Sequence, residues 1–530
     1  MYQALLHSAS NVPDNIAVVE ADRRWTFHEI LMATDRAADM FWELGLRKDD
    51  KAAIVLRNSA EFLITQLALS KIGAIAVPIN FMITRRDEIR FILSDSHTRV
   101  VVTSGEFAAA YLGLLKEGLV GHVFTIEKPT ENEAGALDFW AMLDASSYQP
   151  PANNVEVLPD DTATLLYTSG TTGHPKGVII SHANLLSNTR SACKAFRITH
   201  GDVFMCLLPM FHTFSFTVTA LLPLLQGCKT VVVSHITPAK PWLYLMGKEG
   251  VTLMGGVPQI FSVIAKEARG IKRLYLQYWA FRKVRFCFSG AAPLSMAVHR
   301  HFEETLGVQL IEGYGLTETS PIVSANRPHH EKNGSVGRPL PDVQVKIMDD
   351  NGNELPTGEE GEICVLGPNV TSGYHKNAQA TSEIFTEDGW LKTGDIGVLD
   401  EDGFLFIRDR KKDMIIVKGL KVFSAQVEMV VHEHPAVAEA AVIGIPDGKG
   451  EEFIKCFAVL KPGMHAEKAE IMKFLKEKLD PYKRPRDLEI VEALPKNSLN
   501  KILKRKLRQM ENEKLAAKMQ ARVPAGAGKR

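Results

Sequence analysis

The 530 residues exceed the length of an ordinary single domain, so more than one domain is expected. The chain has 62 basic and 62 acidic residues, and this balance argues against nucleic acid as a partner. Six scattered cysteines without a Cys-x-x-Cys pair predict neither a zinc site nor a disulfide framework and are typical of a reducing cytoplasm. Met1–Pro13 has no basic start and no long apolar core, so we predict a cytoplasmic protein without a signal peptide.

The first 160 residues alternate short apolar runs with helical patterns. The capping box Thr26–Glu29 marks the start of one helix, and Gly45 ends it. The alternation predicts an α/β fold with a largely parallel sheet. The predicted strands are Ile16–Glu20, Ala52–Leu56, Ala74–Ile79 and Arg99–Thr103, and the predicted helices are Thr26–Leu44, Ala60–Ile72 and Thr84–Leu93.

Two stretches interrupt this alternation. Thr130–Asn154 is largely polar and is predicted to be a connecting loop. Val203–Cys228 contains no Asp, Glu, Lys or Arg and is long enough to cross a bilayer, but its prolines and hydroxyl groups favour a buried helix that lines an apolar cavity.

The last third of the chain changes character twice. Val343–Asp349 and Glu362–Leu366 are strand patterns with a hairpin signal between them, which indicates a β-rich subdomain. Every residue of Arg408–Asp413 is charged, and an α+β pattern follows. We therefore predict a large N-terminal domain over residues 1–409, with mixed and parallel sheets flanked by helices, and a small mobile α+β domain over residues 410–530.

A Gly/Ser/Thr-rich stretch with a lysine lies between Thr168 and Gly177. An apolar run precedes it and helix signals resume at Ser181, so we predict a strand, a phosphate-binding loop and a helix. Pro175 before Lys176 excludes a Walker A loop, and a flexible surface loop is the less favoured alternative. The residues expected to bind phosphate are Thr168, Ser169, Gly170, Thr171, Thr172, Gly173 and Lys176.

This stretch resembles the signature of the adenylate-forming superfamily, which includes acyl-CoA synthetases, adenylation domains of peptide synthetases and firefly luciferase. The resemblance extends from about Thr26 to Lys506 and, within the superfamily, points to bacterial medium- or long-chain fatty-acid–CoA ligases. Four further blocks carry it in the family's order: Glu312–Thr319 (EGYGLTET), Thr393–Asp395 (TGD), Asp409–Gly419 (DRKKDMIIVKG) and Leu494–Ile502 (LPKNSLNKI).

The first of these blocks implies the nucleotide and metal contacts. Tyr314, between Gly313 and Gly315, is expected to stack on adenine. Thr317 is expected to donate to the α-phosphate and Glu318 to hold Mg²⁺ through oxygen. The small residues Gly290, Ala291 and Ala292 would let the backbone lie against the base, as in the family.

The three later blocks imply the ribose contacts, a hinge and a catalytic lysine. Asp395 and Arg410 are expected to bind the ribose, and Lys412 to be the residue about which the small domain rotates. Gly419 matches the glycine past which the pantetheine arm of coenzyme A approaches, and Lys418 before it is expected among the cofactor-binding residues. Lys501 matches the lysine that binds the carboxylate and the α-phosphate, which makes the expected catalytic set Lys501, Thr317, Glu318 and Lys176.

The acid pocket is expected around Phe211, His212 and Phe214. Amino-acid-activating members of the family carry an aspartate near this position to pair with the ammonium group, and this stretch is uncharged. The substrate is therefore expected to be an apolar carboxylic acid without an amine. His212 either gates the pocket or packs as a core histidine.

The predicted function is ATP-dependent activation of a fatty acid through an acyl-adenylate, followed by transfer to coenzyme A, with ATP, Mg²⁺ and coenzyme A required. Val422–Glu428 (VFSAQVE) lacks the proline and the first glutamate usual in coenzyme A ligases, so an acyl-carrier protein remains open as the acceptor. Asn497 and Asn500 replace a threonine and a glycine before Lys501, and they leave open an adenylate-binding protein without ligase activity.

Two basic segments leave peripheral membrane contact open. Lys266–Arg285 has seven basic residues and one Glu among aromatic side chains, and it reads either as a membrane-surface segment or as a surface helix. Lys496–Arg530 has eleven basic residues and two Glu, typical of a solvated helix or an anchor. The acyl chain length and a homodimer are equally undecided by the sequence.

Overall fold

The computed structural model describes residues 1–146, 155–168, 175–417, 420–446, 452–496 and 502–520, with side chains described as far as residue 514. The chain divides into two compact units. The first unit comprises Met1–Lys346, Cys364–Lys392 and Glu401–Leu405, and the second comprises Ile347–Ile363, Thr393–Asp400 and Phe406–Arg530.

Sixteen α-helices are described, with two π-helical segments, Ser215–Leu221 and Leu276–Ala280, and four short 3₁₀ helices beside them. The helices are α1 (Tyr2–Asn11), α2 (Phe27–Glu43), α3 (Ala60–Lys71), α4 (Arg86–Ser96), α5 (Gly105–Lys116), α6 (Phe139–Ala145), α7 (His182–Phe196), α8 (Leu222–Leu225), α9 (Lys240–Glu249), α10 (Pro258–Glu267), α11 (Ile271–Tyr275), α12 (Met296–Leu306), α13 (Ala378–Ile384), α14 (Ser424–His432), α15 (Lys468–Lys478) and α16 (Lys504–Gln520).

The strands are β1 (Ile16–Glu20), β2 (Arg23–Thr26), β3 (Lys51–Val55), β4 (Ile75–Pro78), β5 (Thr98–Thr103), β6 (His122–Thr125), β7 (Leu137–Asp138), β8 (Thr162–Thr168), β9 (Lys176–Ser181), β10 (Val203–Cys206), β11 (Lys229–Val232), β12 (Leu253–Gly256), β13 (Phe286–Ser289), β14 (Gln309–Gly315), β15 (Ile322–Ala325), β16 (Arg338–Pro339), β17 (Gln344–Met348), β18 (Gly361–Leu366), β19 (Leu391–Leu399), β20 (Leu405–Arg410), β21 (Ile415–Val417), β22 (Leu420–Val422), β23 (Val437–Pro446), β24 (Glu452–Leu460) and β25 (Asp487–Ile490).

Two large sheets form the first unit. One has the order β7-β6-β5-β3-β4-β8-β9, parallel except for the pair β8 and β9. The other has the order β16-β15-β14-β13-β12-β10-β11-β1-β2, and its strands from β14 to β1 run parallel. The interior strands are apolar along their length because helices cover both faces of such sheets.

The carboxyl ends of the parallel strands in the nine-stranded sheet lie at one edge. Cys206 ends β10, Gly256 ends β12, and Ser289 ends β13 beside Glu312 of β14. In open α/β sheets ligands bind outside this edge. The sequence blocks at Leu208–Phe214 and Gly290–Ala292 follow these strand ends, and Gly313–Glu318 begins where the parallel pairing of β14 ends, at Glu312.

The second unit has its own core. β23, β24 and β25 form a three-stranded sheet, and α14 and α15 contribute Val427, Ile471 and Leu475 to the apolar cluster around it. Lys455 is buried on β24 and pairs with Glu489 at 2.8 Å and with Glu511 at 2.7 Å, which satisfies its charge. Strands β17, β18, β19 and β20 form a four-stranded sheet in that order.

The α/β prediction is confirmed, whereas two local predictions are wrong. Thr130–Asn154 is not only a loop, since it includes β7 and α6, where Phe139 is fully buried and Trp140 stacks on Trp25 at 5.4 Å. Val203–Cys228 is buried as expected, but it forms β10, a π-helical segment and the short α8 in place of one helix. Residues 147–154 lie outside the described residues.

Candidate active site

Lys176 begins β9, directly opposite Thr168 at the end of β8. The predicted strand and helix are present, since β8 ends at Thr168 and α7 begins at His182, but the sequence analysis missed the strand β9 between the Gly-rich stretch and α7. The short run Lys176–Ser181 pairs as a strand because it has the apolar partners Leu165 and Leu166 on β8. Ser169, Gly170, Thr171, Thr172 and Gly173 lie outside the described residues.

The segment Thr371–His375 runs along the free side of β9. The N–H of Ile179 donates to the carbonyl oxygen of Gly373 at 3.0 Å, and the N–H of His375 donates to that of Gly177 at 2.7 Å. The N–H of Thr371 donates to the carbonyl oxygen of Glu318 at 2.8 Å. This segment, which the sequence analysis missed, therefore joins the Lys176 strand to the Glu318 turn.

Tyr374 is placed between the two predicted catalytic groups. The Nζ atom of Lys176 lies 5.0 Å from the centroid of the Tyr374 ring, a distance at which a cation is attracted to the ring face. The Tyr374 hydroxyl donates to Oε1 of Glu318 at 2.8 Å. Burial, with the Glu318 charge second, raises the pKa of Tyr374, so this hydroxyl keeps its proton and fixes the carboxylate.

The turn that carries Tyr314, Thr317 and Glu318 follows β14. A β-carbon on Gly315 would lie 2.0 Å from the carbonyl oxygen of Pro321, so only glycine fits there. The Thr213 hydroxyl donates to Oγ1 of Thr317 at 3.3 Å. Because Thr213 belongs to the uncharged segment after β10, this contact places the predicted acid pocket against the predicted phosphate-binding turn.

The three predicted pocket residues differ in their surroundings. Phe211 is buried edge-on against Phe81 at 5.4 Å. Phe214 packs edge-on against Phe288 at 5.8 Å, and the N–H of Phe214 lies 3.3 Å from Nδ1 of His212. His212, between them in the chain, is half-buried.

Gly290 follows β13, and a β-carbon on it would lie 3.5 Å from Cζ of Phe214. Ala291 has φ +67°, a left-handed conformation that a small side chain tolerates at modest cost, and it is exposed. Ala292 is half-buried. Gly290 is itself buried beside the phenyl ring of Phe214, so the exposed part of this predicted adenine-binding stretch begins at Ala291.

In the second unit, the two predicted ribose-binding residues are in contact. Nε of Arg410 lies 3.3 Å from Oδ1 of Asp395, at the end of β20 and within β19. The N–H of Asp395 donates to Oγ1 of Thr393 at 3.1 Å, and Gly394 has φ +72°. The T-G-D turn therefore holds the aspartate with its carboxylate beside the guanidinium.

Lys412 lies in a short 3₁₀ turn, Lys411–Asp413, and is exposed. Both neighbours are held: Lys411 pairs with Glu362 at 3.0 Å, and Asp413 pairs with Arg508 of α16 at 2.8 Å. Lys418, Gly419 and Lys501 lie outside the described residues.

Ser424, which stands where coenzyme A ligases usually have proline, is the centre of a buried polar network. Its hydroxyl donates to Oδ2 of Asp409 at 2.7 Å and accepts from Nζ of Lys504 at 2.7 Å. Lys504 also pairs with Glu428 at 2.7 Å. The network ties α14 and α16 to the last residues of β20, immediately before Lys412.

The donor atoms near Glu318 fit Mg²⁺. A half-buried carboxylate beside the Thr317 hydroxyl offers the hard oxygen atoms that this ion prefers. Mg²⁺ is usually bound through one or two carboxylates together with phosphate oxygens and water. The residues of this chain therefore fit a metal held jointly with a nucleotide.

Comparison with known proteins identifies the family. Residues 5–375 match the AMP-binding enzyme family, and residues 426–501 match the AMP-binding enzyme C-terminal domain. A long-chain-fatty-acid–CoA ligase of Salmonella typhimurium is 32% identical over 96% of this chain and 94% of its own length. The chain belongs to the AMP-binding enzymes and is an acid–thiol ligase of the adenylate-forming superfamily.

Two solved structures extend the comparison. The anthranilate CoA ligase AuaEII in complex with anthranoyl-AMP has a TM-score of 0.87 and 27% identity, covering 97% of this chain and 98% of its own. The O-succinylbenzoate coenzyme A synthetase of Bacillus subtilis in complex with ATP and magnesium has a TM-score of 0.83 and 30% identity, covering 95% and 98%. Similar proteins thus include ligases for aromatic as well as fatty acids. In the part of the chain that is described, no helix is long and apolar enough to cross a membrane.

Glu312, next to the Tyr314 turn, gives a pH-dependent prediction. Burial raises the pKa of this carboxyl to about 7, although the N–H of Leu294 donates to it at 2.9 Å. The folded state therefore binds a proton more tightly than the unfolded state, and ionising Glu312 costs stability as the pH rises from about 4.5 to about 7. Glu312→Gln is expected to melt at a higher temperature than the parent by a margin that grows across this range and then levels off, corresponding to at most about 3 kcal/mol. A margin independent of pH in melts from pH 5 to pH 8.5 would contradict this.

Ser424→Ala tests the buried network in the second unit. The change removes two hydrogen bonds from a fully buried site and leaves Asp409 and Lys504 short of a partner. We expect a loss of about 1–3 kcal/mol, measured as a lower melting temperature. Ser382→Ala, at an exposed helical position, is the matched control and should leave the melting temperature unchanged.

Proposed function

We propose that this enzyme activates a medium- or long-chain fatty acid with ATP and transfers the acyl group to coenzyme A, giving acyl-CoA, AMP and pyrophosphate. One observation supports the choice of acid: the uncharged, buried segment after β10 contacts, through Thr213 and Thr317, the turn that we propose binds phosphate. An ammonium group placed there would be buried without a carboxylate partner from this segment. The Salmonella relative acts on the same class of acid, which supports the assignment.

The first half-reaction needs positioning and charge stabilisation. A carboxylate oxygen attacks the α-phosphorus of ATP, a P–O bond forms, and pyrophosphate leaves with the electron pair of the broken bond. Mg²⁺, held at Glu318, would supply positive charge to the phosphates. Lys176 adds positive charge at the mouth of the β8–β9 hairpin, and Tyr374 keeps Glu318 in place. Thr317 would donate to the α-phosphate.

The second unit is proposed to contribute different residues in the two half-reactions. Lys501 would first stabilise the charge that builds between carboxylate and α-phosphate. Rotation about Lys412, with residues 410–530 as the mobile part, would then remove Lys501 and present Lys418 and Gly419 to the thiol. Attack of the thiolate on the acyl carbon releases AMP. Asp395 and Arg410 are proposed to hold the ribose throughout.

An acyl-carrier protein is the second candidate acceptor, and Ser424 is the observation that favours it. Where coenzyme A ligases usually have a proline, this chain has a buried serine bonded to Asp409 and Lys504. The adenylate chemistry is the same for both acceptors, so only the second half-reaction separates them.

Carboxylate-dependent exchange of pyrophosphate into ATP tests the proposal. The acids are acetate, octanoate, palmitate, a cinnamate and several amino acids, first alone and then with coenzyme A or a phosphopantetheinylated carrier protein. We expect exchange with the fatty acids, and AMP and thioester release with coenzyme A. Release with the carrier protein alone would assign the second acceptor. Exchange with the cinnamate or an amino acid but with neither fatty acid would overturn the choice of substrate.

A further inference from the structure

One surface of the first unit exposes apolar side chains at helical spacing. In α11 and the π-helical segment after it, Ile271, Leu274, Tyr275 and Tyr278 recur at intervals of three, four and seven residues. Ile271 is 85% exposed and Tyr278 is 74% exposed. The opposite side of the same segment is also apolar, and there Leu276 and Ala280 are buried in the core. We call the exposed residues 271, 274, 275 and 278 the apolar stripe.

Neighbouring helices extend the apolar stripe. Tyr244 of α9 is half exposed and stacks on Trp279 at 6.1 Å. Val263 of α10, 60% exposed, lies one turn before Glu267, which pairs with Lys272 at 2.8 Å. A surface of this kind, with several large apolar side chains in solvent, marks an interaction site in a soluble domain.

Basic residues flank the apolar stripe in the sequence. Between Lys266 and Arg285 there are seven Lys or Arg and one Glu, although the chain as a whole has equal numbers of each charge. The one acid, Glu267, is already paired with Lys272. The exposed basic residues are Lys266, Arg269, Lys272, Arg273, Arg282, Lys283 and Arg285, of which Lys272 pairs with Glu267 and Arg285 with the buried Asp202 at 2.7 Å.

The positive charge of these residues indicates which kind of partner covers the apolar stripe. In a symmetric dimer the same patch occurs on both partners, so these basic residues would face one another. Anionic lipid headgroups supply the opposite charge, and Lys or Arg near such a surface is attracted to it. Tyrosine and tryptophan side chains favour the boundary between headgroups and acyl chains. This surface has four of them: Tyr244, Tyr275, Tyr278 and Trp279.

We propose that the apolar stripe and its basic rim dock this enzyme on an anionic lipid surface. The apolar side chains enter the boundary region of one leaflet while the basic residues remain at the headgroups, as in interfacial helices. The proposal stands on exposure and charge and does not depend on the ligase reaction. It does give the enzyme access to the phase in which long-chain acids partition.

Flotation with lipid vesicles tests the proposal on the full chain. We expect binding to phosphatidylcholine vesicles that contain about 30% phosphatidylglycerol, and at least about tenfold weaker binding to phosphatidylcholine alone. Two variants, Ile271→Ser with Leu274→Ser and Tyr278→Ser, and Lys266→Glu with Arg269→Glu and Lys283→Glu, are each expected to reduce binding to the anionic vesicles by at least about tenfold. Met464→Ser with Ile490→Ser, which changes two exposed apolar residues of the second unit, is the matched control and should bind as the parent does.

Three results would overturn the proposal. The first is a parent enzyme that does not float with anionic vesicles, and the second is two variants that bind these vesicles as strongly as the parent. The third is a parent dimer in lipid-free sedimentation that the apolar variant abolishes, which would make this surface an interface between copies. Pyrophosphate exchange with a water-soluble acid should be equal in all variants. Loss of docking with normal exchange therefore separates this proposal from the ligase proposal.

Discussion

Glu318→Gln is expected to slow carboxylate-dependent pyrophosphate exchange by roughly 10²–10³-fold. Glutamine keeps the shape of the side chain and an oxygen that can accept from the Tyr374 hydroxyl, which donates to Oε1 at 2.8 Å in the parent. The fold should therefore survive, and only the negative charge that would hold Mg²⁺ is lost. The magnesium concentration for half-maximal exchange is expected to rise in parallel.

Tyr374→Phe is the matched control for Glu318→Gln. It removes the hydroxyl that fixes Glu318 but keeps the ring that lies 5.0 Å from Nζ of Lys176. As a positioning change, it is expected to cost about tenfold in exchange, with a smaller change in magnesium dependence. If Glu318→Gln retains full exchange at limiting magnesium, Glu318 does not hold the metal.

Lys501→Ala is expected to slow adenylate formation by roughly 10²–10³-fold. The rate of the second half-reaction should be unchanged. The lysine would stabilise charge only while the carboxylate attacks the α-phosphate. Thioester formation from synthetic acyl-adenylate and coenzyme A should therefore proceed at nearly the parent rate. The two half-reactions are measured separately, by pyrophosphate exchange and by consumption of acyl-adenylate.

Lys506→Ala provides the comparison for Lys501→Ala. Lys506 is an exposed lysine at the start of α16, so a loss of general basic charge near the C-terminal segment would affect both variants alike. Normal exchange by Lys501→Ala together with failed thioester formation would assign this lysine to the opposite half-reaction.

The fold class and the candidate site residues could be predicted from the sequence because each depends on a local pattern. Alternating apolar runs located β1, β3, β4 and β5 and the helices α2, α3 and α4 within a few residues. The capping box at Thr26 is present as predicted, with Glu29 accepting from the Thr26 N–H at 2.7 Å. The roles assigned to Lys176, Glu318, Asp395, Arg410 and Lys501 remain predictions that the experiments above test.

The parts that the sequence did not predict depend on distant contacts. Tyr374 stands in a segment without a recognised motif, and its importance is visible only once Gly373 and His375 pair with β9. The strand β9 was overlooked because six residues are too few to separate a strand from a helix start by periodicity. The same reason explains α6, which is seven residues long and is stabilised by Trp25, far away in the chain.

The pairing of β1 with β11 has a consequence for biosynthesis. Val18 lies opposite Thr230, so a strand that leaves the ribosome first waits for more than two hundred further residues before it gains its parallel neighbour. The Lys176, Glu318 and Tyr374 arrangement is complete only after residue 374 has emerged. Non-local pairing of this kind is slow, and unpaired strand edges are prone to aggregate. The side of β1 that pairs with β11 therefore stays open until Thr230 has been made, so the β1–β2 pair carries an aggregation-prone edge through the first part of synthesis.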